Sequence, residues 1–170
     1  MNPTRTTPPR LHWHWGDFDS LSLRDLHDAL QLRARVFILE QGPYLDVDGL
    51  DPASHHLLGR LAEPWGELPA GELVVYLRAV APGLKYAEPA LGRVVCHAGV
   101  RGTGLGRALV AEGLRGCEQV WPGQGNRISA QAHLGRFYGE FGYQPVGEVY
   151  LEDDIPHLQM LRPAAGVASG

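Results

Sequence analysis

Between residues 91 and 120 an apolar stretch runs into a turn carrying Gly102, Gly104 and Gly106, and then into a stretch with helical spacing. A strand, a tight turn and a helix in that order restrict the fold more than any other segment does. The first backbone N–H groups of such a helix have no acceptors of their own, and the helix dipole adds positive potential there. Glycines let that backbone approach an anion closely, and Arg101 adds a full positive charge. The turn therefore reads as a phosphate site, or else as a tight turn without a ligand. Two phosphate motifs do not fit. The P-loop pattern needs Lys and then Ser or Thr after Gly104, where Leu105 and Gly106 stand. The dinucleotide fingerprint counted from Gly102 needs glycine where Arg107 stands, and counted from Gly104 needs it where Leu109 stands.

The rest of the chain supplies elements for this unit to pack on. Residues 11–15 alternate, which places Leu11, Trp13 and Trp15 on one face of a strand. Ser22 with Asp25 makes a capping box, with Asp in place of the preferred Glu. Leu23, Leu26, Leu30, Ala34 and Phe37 then predict a helix over 22–39, ended by Gly42 and Pro43. Residues 44–54 read as loop. Strands at 56–61 and 73–80 flank a segment rich in Pro and Gly, which predicts an antiparallel hairpin with a long loop. The helix of the glycine turn runs from about 104 to 120, with Leu105, Leu109, Cys117 and Trp121 inward and Pro122 stopping it. Gly113 and Gly116 weaken it by roughly 1 kcal/mol each relative to Ala. A strand at 127–132, a short helix at 134–141 closed by Gly142, and paired strands at 146–151 and 157–161 follow. The order β α β β β α β α β β predicts an α/β (α+β) domain whose sheet has mixed pairing and helices on its faces. With 170 residues the chain is expected to hold one domain, residues 11–162, between a flexible arm of residues 1–10 and a flexible tail of residues 163–170.

Composition narrows the partners. Fifteen Lys and Arg against 19 Asp and Glu leave a net charge of −4, without the dense basic footprint of a nucleic-acid binder. No apolar run approaches the roughly 18 residues that a membrane span needs. Cys96 and Cys117 make neither a disulfide framework nor a zinc site, and they suit a reducing cytoplasm. They carry no signature of a nucleophile either. His12 and His14 share a strand face with no third ligand indicated, so no metal is expected.

Arg101-x-x-Gly104-x-Gly106 after an apolar strand resembles the pyrophosphate-binding motif of the GNAT N-acetyltransferases, which use acetyl-CoA. The order of elements is similar to theirs. Residues 128–133 (ISAQAH), then Phe137, Tyr138, Phe141, Gly142 and Tyr143, resemble that superfamily's fifth strand and the helix after it. A narrower resemblance, to the ElaA family, is carried by Leu32, Arg33, Val36, Phe37, Glu40, Gln41, Tyr44, Asp46, Asp48, Gly49 and Asp51. Glu148, Tyr150, Ile155, Pro156 and His157 add a C-terminal block to it. Together these resemblances span residues 11–160.

The resemblance implies a twisted, mostly antiparallel sheet of about seven strands with helices on both faces, splayed between strands 4 and 5. It implies acetyl-CoA in that gap, its pantetheine amides paired with backbone at Val94 and Cys96. The pyrophosphate would lie on Arg101, Gly102, Thr103, Gly104, Leu105 and Gly106. An N–H of the strand would also stabilise the oxyanion that forms on amine attack. Tyr138 matches the tyrosine that protonates the leaving thiolate as general acid. His133 stands where many relatives carry Asn. The implied acceptor is a small-molecule amine or a protein or peptide amine, and members of the superfamily often form homodimers.

The general base is not singled out: Glu40, His56 and His133 are the candidates, acting directly or through water. His97 reads as structural. Asp46, Asp48 and Asp51 miss the EF-hand spacing, since Leu50 and Asp51 stand where Asp or Asn and Gly belong. Two readings of them stay open. One is an Asx-rich turn; the other is an acidic rim, joined by Glu152, Asp153 and Asp154, that attracts a cationic amine. The expected function is acetyl transfer to a primary amine in a ternary complex. The alternatives are a CoA-binding module without acyl transfer and a GNAT-fold enzyme that uses another acyl-CoA.

Overall fold

The computed structural model describes residues 7–43 and 45–164; Tyr44 and most of the two expected terminal segments lie outside the described residues. Of the expected arm, Pro9 is buried and the Arg10 carbonyl accepts the Ala62 N–H at 2.9 Å. The elements are β1 (Leu11–Asp17), α1 (Leu23–Arg33), a π-helix (Ala34–Glu40), β2 (Ser54–Leu61), β3 (Leu73–Val80), β4 (Ala90–Cys96) and α2 (Leu105–Val120). They continue with β5 (Asn126–Gln131), α3 (Gly135–Gly139), β6 (Gln144–Pro145), β7 (Tyr150–Glu152) and β8 (Ile155–Arg162).

β1 to β4 form one antiparallel ladder in sequence order. All eight residues of β3 are buried, because helices cover both faces of the sheet there. Ala29, Leu32 and Val36 pack on Leu58, Tyr76 and Val95 on one face. Leu105, Leu109, Val110 and Cys117 pack on Leu57, Val75 and Leu77 on the other.

The capping box of α1 is reciprocal: Asp25 N–H donates to Ser22 Oγ at 2.9 Å, and Ser22 N–H donates to Asp25 Oδ2 at 3.1 Å. The α-helix expected over 22–39 nevertheless ends at Arg33, and the chain continues as a π-helix. The wider turn buries Val36 in the core below while Phe37 turns toward the gap in the sheet. In α2 the two glycines have a packing reason. A Cβ on Gly116 would sit 2.5 Å from Trp15, and one on Gly113 would sit 2.7 Å from Leu77. The helix thus lies against the sheet at a distance that side chains would prevent.

β5, β8 and β6 form a second antiparallel ladder, with β7 paired to β8. The single strand expected over 146–151 is a correction. Gly147 has φ +80, which breaks extended backbone, so residues 146–149 lie outside any strand, between the two-residue β6 before them and β7 after them. β7 and β8 turn through Asp153 (φ 49) and Asp154 (φ 61), two left-handed residues that match the strand twist.

The expected splay lies between the two ladders. β4 and β5 meet at their starts, where Arg127 N–H donates to the Pro89 carbonyl at 3.0 Å and Leu91 N–H donates to Asn126 Oδ1 at 3.3 Å. From there they part. A bulge in β4 adds to the opening: Val95 pairs with Tyr76 and Gly92 with Arg78, so Arg93 and Val94 together face Leu77.

Arg93 holds φ 49 at that bulge, and an ion network fixes it. Its Nε donates to Asp46 Oδ1 at 2.9 Å and its Nη2 to Asp48 Oδ2 at 3.2 Å. Buried Arg33 donates to Asp46 and Asp51, each at 2.9 Å, and buried Arg78 donates to Asp48 at 2.7 Å and to Asp51 at 3.0 Å. The acidic-rim reading of these three aspartates is thereby corrected. Three arginines neutralise them, and Asp46 and Asp51 are buried. The turn reading holds locally, since Asp48 Oδ1 accepts the Leu50 N–H at 3.1 Å.

Candidate active site

The gap between β4 and β5 encloses a cavity of about 180 Å³. Leu91 to Val94 form one wall and Ile128 to Gln131 the other. Phe37, Gln41, Gly42 and Pro43 from the end of the π-helix close one side, and Leu134 and Tyr138 close another. Lys85 and the β7–β8 hairpin, through Glu152, Asp153, Ile155 and His157, complete the lining.

Tyr138 is buried, its ring edge-on to Phe137 at 5.1 Å and to Tyr143 at 5.9 Å. Its hydroxyl has no hydrogen-bond partner among the described residues, and Tyr138 is one of the residues of the cavity wall. Burial pushes its pKa up to about 12, and the Cys96 thiol nearby acts in the same sense. The phenol therefore stays protonated at neutral pH, as a proton donor must. Burial also raises the Cys96 thiol, against the opposing pull of Arg101, so it is no activated nucleophile.

The glycine turn lies beyond the C-terminal end of β4, outside the enclosed cavity. A Cβ on Gly106 would be 3.9 Å from Cys96 Sγ and 4.0 Å from Phe137. Gly104 caps α2 at φ +90 with no side chain bonded to the helix end. A Cβ on Gly102 or Gly104 would meet nothing within 4 Å. The start of a 16-residue helix thus faces open space, and among the described residues no side chain caps it, which suits an anion. Thr103 Oγ1 donates to the Val100 carbonyl at 2.6 Å and braces the turn. Arg101 is held by Glu40, which accepts from its Nη2 at 3.1 and 3.0 Å.

The three expected base candidates do not line the cavity. Glu40 is bound to Arg101. His133 is exposed in the short turn before α3. His56 is buried with both ring nitrogens occupied, Nδ1 at 2.7 Å from Tyr76 Oη and Nε2 at 2.9 Å from the Asp51 carbonyl. Burial lowers its pKa, against the pull of Asp51. Val94 is part of the wall, whereas Cys96 lies at the end of the strand toward the glycine turn.

Sequence reasoning does not single out Ser129 or Lys85, and it gives Glu152 and His157 no catalytic role. Ser129 Oγ contacts Tyr150 Oη and donates to Glu152 Oε2 at 3.0 Å. His157 Nε2 lies 3.5 Å from the same Glu152 oxygen. Desolvation holds the Lys85 ammonium below the usual lysine range, although Glu152 pulls the other way. The available signal is alternation. Asn126, Ile128 and Ala130 are buried in the core, which sends Arg127, Ser129 and Gln131 to the opposite face.

Comparison with known proteins defines the class. An acyl-CoA N-acyltransferase from Pseudomonas aeruginosa superposes with TM-score 0.81 at 42% identity, over 90% of this chain and 99% of that one. Escherichia coli ElaA superposes with TM-score 0.79 at 37% identity, over 90% and 99%. A UPF0039 protein of Synechocystis is 41% identical over 152 residues, which is 89% of this chain and 94% of that one. The fold is that of an acyl-CoA N-acyltransferase. Residues 75–162 match the acetyltransferase (GNAT) domain, and the chain belongs to that family. It is a transferase, and acyl-CoA is the cosubstrate class. Among the described residues no helix is long and apolar enough to cross a membrane.

Proposed function

We propose that residues 11–162 form one N-acetyltransferase domain that passes the acetyl group of acetyl-CoA directly to a primary amine, with both substrates bound together. The observation that carries this reading is the opened sheet. A protonated, buried tyrosine faces the gap from one side, and a polar wall of Ser129, Glu152 and His157 faces it from another.

The backbone edge of β4 around Val94 and Cys96 is free of β5 where the strands part, so it can pair with the pantetheine amides as an added strand would. Gly102 to Gly106 and Arg101 receive the pyrophosphate, and Arg101 then exchanges the Glu40 carboxylate for phosphate oxygens. Glu40 in this reading positions Arg101. The Tyr138 hydroxyl gives its proton to the departing thiolate. Direct transfer is supported by Cys96, whose raised pKa disfavours an acyl-cysteine intermediate.

The test is thermal unfolding with acetyl-CoA, CoA, succinyl-CoA, NAD and ATP. At 100 times its dissociation constant, a ligand of the native state adds about 2.7 kcal/mol, or several degrees. A rise with acetyl-CoA and none with NAD or ATP is the expected result. No shift with any CoA ester at millimolar concentration removes the reading. A larger shift and faster turnover with succinyl-CoA would assign another acyl group.

A further inference from the structure

The polar wall of the cavity holds two acceptors that face each other. His157 Nδ1 lies 2.7 Å from the Ile155 carbonyl, and a carbonyl oxygen can only accept. The proton of the neutral ring is therefore on Nδ1, which leaves Nε2 with a bare lone pair. Nε2 points at Glu152 Oε2, 3.5 Å away, and a carboxylate oxygen also only accepts. Two acceptors at that separation call for a donor between or beside them. Ser129 already donates to Glu152 Oε2 and is itself held by Tyr150, so the carboxylate is fixed in place. The His157 side chain is 13% exposed and that of Glu152 43%, so the pair is reachable from the cavity.

We propose that Glu152 and His157 form the acceptor-amine subsite, and that His157 Nε2 is the general base. This rests on the acetyltransferase reading above. The acceptor enters as an ammonium ion, the donor that Nε2 lacks. Nε2 takes one of its protons, and the imidazolium that results is stabilised by the Glu152 carboxylate. The free amine nitrogen forms a bond to the acetyl carbon, the carbon–sulfur bond breaks, and the electron pair leaves on sulfur. Tyr138 gives a proton to that thiolate and recovers one from the nitrogen of the new amide. His157 releases its proton to solvent, so an ammonium and acetyl-CoA become an amide, CoA and one proton.

The groups that face His157 are Glu152 and Tyr150 on β7 and Gln131 on β5, its register partner, with Asp153 and Lys85 on the cavity rim. Histidine nitrogen resonances of the labelled full chain test the tautomer, with His157→Gln to assign them. The expected tautomer carries its proton on Nδ1, against the Ile155 carbonyl, and leaves Nε2 bare. A neutral ring whose proton sits on Nε2 overturns the assignment.

Turnover gives the second test, with spermidine, lysine and a short peptide bearing a free N-terminus as probes. His157→Gln should lower kcat/KM for the amine by about 10²–10⁴-fold. Acetyl-CoA affinity should be unchanged, and the loss should shrink at high pH, where the amine is already deprotonated. Glu152→Gln should act mainly on the amine KM. Wild-type turnover that His157→Gln keeps at every pH overturns the base and leaves the acetyltransferase standing. Acetyl-CoA binding with no turnover of any probe by the wild type overturns the acetyltransferase reading and this one with it.

Discussion

Tyr138 shows how one residue's environment decides its chemistry. A phenol in water ionises near 10, and burial beside Cys96 moves this one to about 12. It is protonated at every physiological pH, and among the described residues its hydroxyl has no partner, while Tyr138 lines the cavity. Tyr138→Phe keeps the ring contacts with Phe137 and Tyr143 and removes the proton. Steady-state kinetics should show kcat reduced by about 10²–10⁴-fold with acetyl-CoA affinity unchanged. Equal turnover would take Tyr138 out of the mechanism. The residue type and its place after the fifth strand were readable in the chain through the resemblance. The environment was not, because Cys96 reaches it from β4, 42 positions earlier in the chain, and its burial depends on how the sheets close over α3.

At the scale of the element, α2 carries two glycines that intrinsic propensity counts against it. Replacing one by Ala in an open helix gains about 1 kcal/mol. Here the added methyl meets the Trp15 ring at 2.5 Å, and overpacking costs about 1–3 kcal/mol. Gly116→Ala should therefore lower the urea midpoint, and Gly113→Ala less so, because a leucine end yields more readily than an indole. Gly139→Ala in α3, where nothing lies within 4 Å, serves as the control and should not destabilise. A stabilised Gly116→Ala would mean that helix and sheet are farther apart than described. The π-helix makes the same point from the other side. Its apolar spacing passes for α-helical in the chain, and the core under Val36 and the cavity beside Phe37 select the wider turn.

At the scale of the whole molecule, the Arg33, Arg78 and Arg93 network ties α1, β3 and β4 to the loop before β2. Hydrogen bonding to Arg78 holds Asp48 well below the usual carboxylate range, against the effect of burial. For Asp51 burial works upward, and Arg33 and Arg78 outweigh it, so its pKa too is lowered. A depressed folded-state pKa gives stability that is present above the unfolded value, about 3.9, and is lost as pH falls through the folded one. Urea midpoints should thus change little through this network between about pH 7 and 5 and fall below about pH 4. Arg78→Met leaves Asp48 and Asp51 short of their partner and should cost about 3–5 kcal/mol at pH 7. That deficit should narrow near pH 3, where the carboxylates of the variant take up protons. A deficit independent of pH would assign the loss to packing instead.

Features set by local spacing were legible in the sequence: the capping box of α1, the alternation of β1, the glycine turn before α2 and most strand positions. Each depends on residues a few places apart, and backbone sterics or hydrogen bonding within that span enforce it. The family motif likewise rests on contiguous residues. The partners that neutralise Asp46, Asp48 and Asp51 were not legible, since Arg93 and Asp46 stand 47 positions apart. Nor was the meeting of Ser129 with Glu152, 23 positions apart, which required β5 and the β7–β8 hairpin to pack side by side. Side-chain chemistry says what a residue can do, but burial and the direction of its neighbours decide what it does. Those are set by the closing of the sheets, which no local pattern encodes.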